Sequence, residues 1–146
     1  MALWRLYYHL VWTTKERQPL ITTNLETQLY GYIIGKADQL GSIIHAIGGI
    51  ENHIHLIASI PPKLSISDFV QNIKGSSAYH LNHLSSSKDW FAWQRGYGVF
   101  SLGGKQLEQA VGYVKNQKAH HFNGTTISSL EQHNHEDHGP KPTKAA

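Results

Sequence analysis

The chain has 146 residues, a formal net charge of +3 and a pI near 9.1, with 40% hydrophobic and 10% aromatic residues. That suits one soluble domain with a real core, permits a polyanionic partner without demanding one, and leaves no apolar run long enough for a membrane span. Cysteine is absent, which excludes disulfides, thiolate catalysis and cysteine zinc sites and makes the cytoplasm the expected location. Residues 1–5 also lack the basic-then-apolar plan of a signal peptide.

The first predicted element is a strand over residues 3–14. Trp4, Leu6, Tyr8, Leu10 and Trp12 alternate and are expected to face the core. Arg5, Tyr7 and His9 then point the other way. A cation and rings on an open sheet face can hold single-stranded nucleic acid, bases stacking on the rings and phosphate meeting the guanidinium. A second layer, such as a partner subunit, would cover the same face equally well. Residues 15–19, with Lys15 and Arg17, read as a polar, basic loop.

Thr23 followed three residues later by Glu26 matches the capping-box pattern. Leu25, Leu29, Ile33, Ala37 and Leu40 continue as a helical stripe, and Gly41 is placed to stop it. Tyr30, Tyr32 and Ile34 widen the apolar face, so this helix is expected to lie across a sheet. Residues 42–50 read as the second strand, with Gly48 and Gly49 loosening its end. Glu51 and Asn52 turn the chain into a third strand, giving an antiparallel hairpin.

On that third strand Ile54, Leu56, Ala58 and Ile60 share the core face, and Pro61 and Pro62 end it. His53 and His55 share the opposite face. They read either as ordinary half-exposed histidines or as two nitrogen ligands for a divalent ion, and the second reading needs a third ligand elsewhere.

Residues 65–68 offer caps for a second helix running to about His83, with Ile66, Phe69, Val70, Ile73 and Leu81 on its buried side and Lys74 in its middle. His80 and His83 lie one turn apart near its C-terminal end and read as solvated or dipole-complementing side chains. Residues 85–87 form a serine link. Residues 90–98, including Arg95, are dense in aromatics, and residues 99–101 form a short strand.

Gly103 and Gly104 precede a last helix over about residues 105–121, striped by Leu107, Ala110, Val111 and Val114. Tyr113 and Gln117, spaced i and i+4, are expected one above the other on a flank clear of that stripe. Gln106 and His120 share the flank. Apolar content collapses from about residue 123. The His-x-His of His133 and His135 therefore reads as part of a mobile polar tail, residues 123–146, following a domain of residues 1–122.

The predicted order, strand, helix, strand, strand, helix, strand and an extra helix, argues an α+β ferredoxin-like βαββαβ sandwich with a four-stranded antiparallel sheet. The histidines then lie on the open sheet face, and the last helix is the element available to cover it.

Over roughly residues 5–122 the sequence resembles the single-tyrosine HUH transposases of bacterial insertion sequences, the insertion-sequence 200/605 group. The resemblance rests on residues 8–15 (YHLVWTTK) with Arg17, Pro19 and Leu20, and on residues 52–56 (NHIHL). It continues through residues 66–70 (ISDFV) with 73–75 (IKG), residues 93–101 (WQRGYGVFS) and residues 113–117 (YVKNQ). It implies His53, His55 and Gln117 as ligands of Mg²⁺ or Mn²⁺ and Tyr113 as the nucleophile. The implied substrate is single-stranded DNA with hairpin ends, cut and rejoined through a 5′-phosphotyrosine link. It also implies a homodimer, in which the tyrosine helix of one subunit can complete the site of the other, working at the nucleoid. Arg5, Tyr7, Lys15, Arg17, Lys74 and Arg95 are the expected DNA contacts.

Two positions depart from the family's pattern. Asn52 stands where many relatives carry Asp, and Gly103 and Gly104 stand where relatives often carry serines. The residues alone also admit a non-catalytic single-stranded nucleic-acid-binding module and a structural zinc protein or metallohydrolase built on His53, His55 and another histidine or Glu51, and the resemblance equally admits a domesticated HUH nuclease.

Overall fold

Every residue from His53 to Ser59 is buried, so this strand has cover on both faces and neighbours on both edges. The computed structural model describes residues 2–84, 90–126, 139–140 and 142. Their elements run β1 (Tyr7–Thr13), α1 (Thr23–Gln39), β2 (Ile43–Ile50), β3 (His53–Ser59), α2 (Ile66–Asn82), β4 (Gly98–Leu102), α3 (Gly104–Lys115) and α4 (Gln117–Asn123). The strands form one sheet in the order β2-β3-β1-β4, and every pairing is antiparallel. This is the ferredoxin-like arrangement expected from the element order.

One sheet face carries the main core. Leu10, Trp12, Ile54, Leu56 and Ala58 meet Leu29, Ile33 and Ala37 of α1 and Phe69, Val70, Ile73 and Leu81 of α2. Strand alternation puts the same-parity residues on this face, and the helical stripes supply the other half. The opposite face is covered by α3. There Ala46 and Ile57 meet Ala110, Tyr113 and Val114. Full burial of a Val or Ile stabilises by roughly 1.5–3 kcal/mol, so this small seam holds its helix far less firmly than the main core holds α1 and α2.

Local chemistry sets the boundaries, with three differences from expectation. The first strand is shorter than residues 3–14 because Tyr7 pairs with Ser59 and Leu102, the last residues of both neighbouring strands. Trp4 and Leu6 therefore precede the strand and are only partly buried. The N-cap of α1 is Thr22, whose hydroxyl accepts from the Leu25 amide at 3.3 Å. Thr23 is the first helical residue, and either threonine has the chemistry to cap. Gly41 does end this helix, at φ +76°.

The third difference is at the C-terminal end. The expected single helix is two, parted at Asn116, which has φ −105° and ψ 25°. Its amide reaches back to the Gly112 and Tyr113 carbonyls at 3.2 and 3.3 Å, and its side-chain amide donates to the Gly112 carbonyl at 2.9 Å. The Asn116 backbone amide thus shares the Tyr113 carbonyl, which a continuing helix would give to the Gln117 amide, and the side chain adds a second donor to the Gly112 carbonyl. Gly103 caps α3 with the help of Gln106, whose side-chain oxygen accepts from the Gly103 amide at 2.9 Å.

No helix among the described residues is long and apolar enough to cross a membrane. The serine link 85–87 and the His-x-His of His133 and His135 lie outside the described residues.

Candidate active site under α3 and α4

Register brings the histidines together. His53 sits opposite Thr13 and His55 opposite Val11 on β1, while His9 sits opposite Ile57. His9, His55 and His53 therefore line one face of two adjacent strands, running from near the start of β1 to the end where the chain leaves it. They are not half-exposed. His53 retains 2% of its accessible surface, His55 none and His9 1%. A buried imidazole needs a hydrogen-bond partner, and each ring has at least one. His53 Nδ1 meets Asn52 Oδ1 at 2.8 Å, and His55 Nδ1 meets His9 Nε2 at 2.8 Å.

Above them lie Tyr113 and Gln117. The sequence placed these two on a polar flank clear of the apolar stripe. In the structure they face inward, 6% and 1% exposed, and Tyr113 shares the seam with Ala110 and Val114. The reason is the sheet face itself. Its centre is imidazole rather than hydrocarbon, so the helix layer turns polar groups toward it as well as apolar ones. The two residues also lie on different helices, on either side of the Asn116 break.

The Tyr113 ring stands edge-on to His55, centroids 6.1 Å apart at 81°, and His120 stacks on it at 4.5 Å and 24°. Gln117 Oε1 lies 3.3 Å from His53 Nε2 and 3.0 Å from His121 Nε2.

Close approach is built into β2. A Cβ on Gly48 would lie 2.0 Å from the Val114 carbonyl oxygen, so only glycine lets the end of α3 settle on the sheet here. A Cβ on Gly49 would lie 2.1 Å from the His53 carbonyl oxygen. These glycines admit neighbours; they do more than loosen a strand end. On the outer side, Lys118 pairs with Glu26 of α1 at 2.5 Å and ties α4 down. Beside the break a cavity of about 320 Å³ is lined by Glu26, Tyr30, Asn116, Gln117 and Lys118 among others.

The donor set fits a small divalent cation. Asn52 Oδ1 only accepts, so a neutral His53 bonded to it carries its proton on Nδ1 and turns an Nε2 lone pair toward Gln117 Oε1, another acceptor. Two acceptors 3.3 Å apart are what a cation reconciles. Among the described residues no group of three or more His, Asp or Glu side chains is arranged to hold a metal. An ion bound here therefore needs the Gln117 amide as well as the imidazoles. His80 and His83 stack on Tyr32 and Tyr79 at 4.4 and 3.9 Å.

The six expected DNA contacts do not form one patch. Arg5 is exposed just ahead of β1, and Tyr7 is half-buried at its start, edge-on to His45 at 5.7 Å. Lys15 and Arg17 are exposed in a single 3-10 turn at the other end of β1, about 20 Å away at about 3.3 Å per strand residue. Exposed Arg95 belongs to a loop docked against that turn through the Lys15 amide and the Ala92 carbonyl, 3.0 Å apart. Lys74 is half-buried and donates to the Gln94 and Gly96 carbonyls at 2.6 and 3.0 Å. Burial lowers its pKa to about 8. It holds the loop that carries Arg95.

Sequence reasoning passed over His121, although it lies four residues beyond Gln117, a spacing that was readable. It treated His9 only as part of an open face, and no local signal pairs His9 with a residue 46 positions away.

The sequence pattern of the family described as "Transposase IS200 like" matches residues 2–117. The chain is 26% identical over 120 residues to the ISDra2 transposase TnpA of Deinococcus radiodurans, covering 79% of this chain and 86% of that one. It is 28% identical over 120 residues to the transposase for insertion sequence element IS200 of Salmonella typhimurium, covering 78% of each. Among solved structures, a proposed transposase from Deinococcus radiodurans R1 superposes with a TM-score of 0.61 at 27% identity, covering 80% of this chain and 93% of that one. A REP-associated tyrosine transposase bound to a REP hairpin also gives a TM-score of 0.61, at 17% identity, covering 86% of this chain and 76% of that one, and bears on the fold alone.

Proposed function

The chain belongs to the family of IS200-like transposases, and from that premise we propose that it cuts and rejoins one strand of DNA through a covalent link to Tyr113. The observation that carries this reading is the Tyr113 ring, buried and set edge-on against His55 by a helix from the same chain.

In the proposed reaction the Tyr113 phenolic oxygen bonds to the scissile phosphorus and the P–O3′ bond breaks. The phenolic proton is lost and the departing 3′ oxygen gains one. The products are a 5′-phosphotyrosine and a 3′-OH. Attack by a second 3′-OH on that phosphotyrosine reverses the step, so no nucleotide hydrolysis is required. His120 stacked on one face and His55 at the edge hold the phenol in a single orientation, which supplies positioning rather than new chemistry. His53, His55 and Gln117 are the residues that would hold Mg²⁺ or Mn²⁺, which supplies Lewis-acid polarisation of the phosphate when bound.

The substrate proposed is single-stranded DNA beside a hairpin, as the family resemblance implies. Lys15 and Arg17 flank the sheet end that carries His53 and are the proposed phosphate contacts; replacing both with Ala should flatten the salt dependence of binding. A homodimer acting in the cytoplasm is part of the same proposal, and light scattering at micromolar concentration tests the dimer.

The deciding experiment mixes the protein with single-stranded hairpin DNA and Mg²⁺ or Mn²⁺ and looks for an adduct that survives denaturation. Tyr113→Phe keeps the ring and deletes the hydroxyl, so folding and binding should persist while cleavage and adduct vanish together. An adduct from the Phe variant would assign the nucleophile elsewhere, with Tyr97 the next to test. Binding without any cleavage by the wild type would replace this reading with a binding module.

A further inference from the structure

We infer that His9 is a positioning residue for His55: its Nε2 accepts the Nδ1 proton of His55 and so keeps a lone pair on His55 Nε2. The inference rests on the reading above that His55 is a metal ligand.

The two side chains occupy diagonal positions on one face of β1 and β3, since His9 pairs with Ile57 and His55 lies two residues from it. Diagonal neighbours of an antiparallel pair are within reach of long side chains. The rings are nearly parallel, 4° apart in plane, with His9 Nε2 and His55 Nδ1 at 2.8 Å. Both are buried, and the Phe100 ring, 5.9 Å away, backs His9.

Two neutral imidazoles joined this way share one proton between Nε2 of His9 and Nδ1 of His55. If His9 donates, His55 carries its own proton on Nε2 and has no nitrogen to offer a cation. If His55 donates, its Nε2 lone pair is available. His53 is set in the corresponding tautomer by Asn52, whose oxygen can only accept. The neighbouring imidazole does for His55 what an amide oxygen does for His53. Outer partners of this kind orient metal-binding histidines and raise their basicity. They also make the two imidazoles present the same nitrogen.

The test starts with metal-free protein labelled with ¹⁵N-histidine. Side-chain ¹⁵N–¹H correlations should find His55 of the wild type protonated on Nδ1. His9→Phe keeps a ring but removes the acceptor, whereas His9→Gln restores one through its amide oxygen. Thermal melts check that both variants fold. In the Phe variant the His55 tautomers should mix and Mn²⁺ affinity by calorimetry should fall about 10–100-fold. The Gln variant should keep the His55 proton on Nδ1 and recover most of that loss. A wild-type His55 protonated on Nε2 would overturn the inference, and that reading needs no variant. So would a folded Phe variant with unchanged tautomer and Mn²⁺ affinity, or a Gln variant as impaired as Phe. If the wild type binds no Mn²⁺, the metal reading falls instead, and the tautomers of wild type and Phe variant still decide the role of His9.

Discussion

Replacing Gly48 with Ala adds one methyl group at the point where β2 meets α3. The added Cβ would sit 2.0 Å from the Val114 carbonyl oxygen and 3.0 Å from its carbon. The obstacle is backbone, so no side-chain rotation relieves it. The end of α3 must retreat by about 1 Å to restore a tolerable contact. Two effects oppose each other. Gly to Ala inside a strand ordinarily gains about 0.5–1 kcal/mol through backbone entropy, and overfilling a tight contact costs about 1–3 kcal/mol. The clash wins, with a net loss of roughly 1–2 kcal/mol. The larger effect falls on chemistry. Tyr113 precedes Val114 directly and Gln117 follows it by three residues, so both shift with the backbone. A misplacement of about 1 Å can lower a rate about 100-fold. The assay is the rate of adduct formation on single-stranded hairpin DNA, read beside the melting temperature. Gly31→Ala is the control, because its Cβ meets nothing within 4 Å; on the exposed side of α1 it should stabilise by about 0.5–1 kcal/mol and leave the rate alone. A Gly48→Ala protein with wild-type melting temperature and rate would refute the claim that this glycine seats the tyrosine helix.

Three further outcomes are expected. Lys74→Met should destabilise by about 1–3 kcal/mol, because the Gln94 and Gly96 carbonyls lose their donor. The folded-state pKa of Lys74 is lowered to about 8 from 10.5, so between those values the unfolded chain binds more protons, and this group's contribution to stability rises with pH across that window; denaturant titrations at pH values of about 7.5 and 10 should show the rise in wild type and lose it in the Lys74→Gln variant, which has no ammonium to titrate. A chain ending at Thr126 keeps the cap in which the Thr125 amide donates to the His120 carbonyl at 2.8 Å. It should cleave at the wild-type rate, and loss of metal-dependent cleavage would give His133 and His135 a part in the site.

Local patterns carried the architecture. Alternation along residues 53–60, the stripe from Leu25 to Leu40 and the glycine at 41 are satisfied within a few residues of themselves, so they were legible without a partner. Their order then left few ways to fold. The spacing of His53 and His55 likewise announced a shared face. What tertiary structure decided is the content of that face. Register between β1 and β3 joined His9 to His55 across 46 positions. The end of pairing at Ser59 and Leu102 shortened the first strand. The Asn116 backbone amide, by reaching the Tyr113 carbonyl as well as that of Gly112, divided a helix that periodicity reads as continuous. Tyr113 and Gln117 turned inward because the surface awaiting them was a row of buried imidazoles, and helical periodicity reports which residues share a flank but not what that flank will meet. A glycine in a strand reads as weakness until the carbonyl that occupies its missing side chain's place is known.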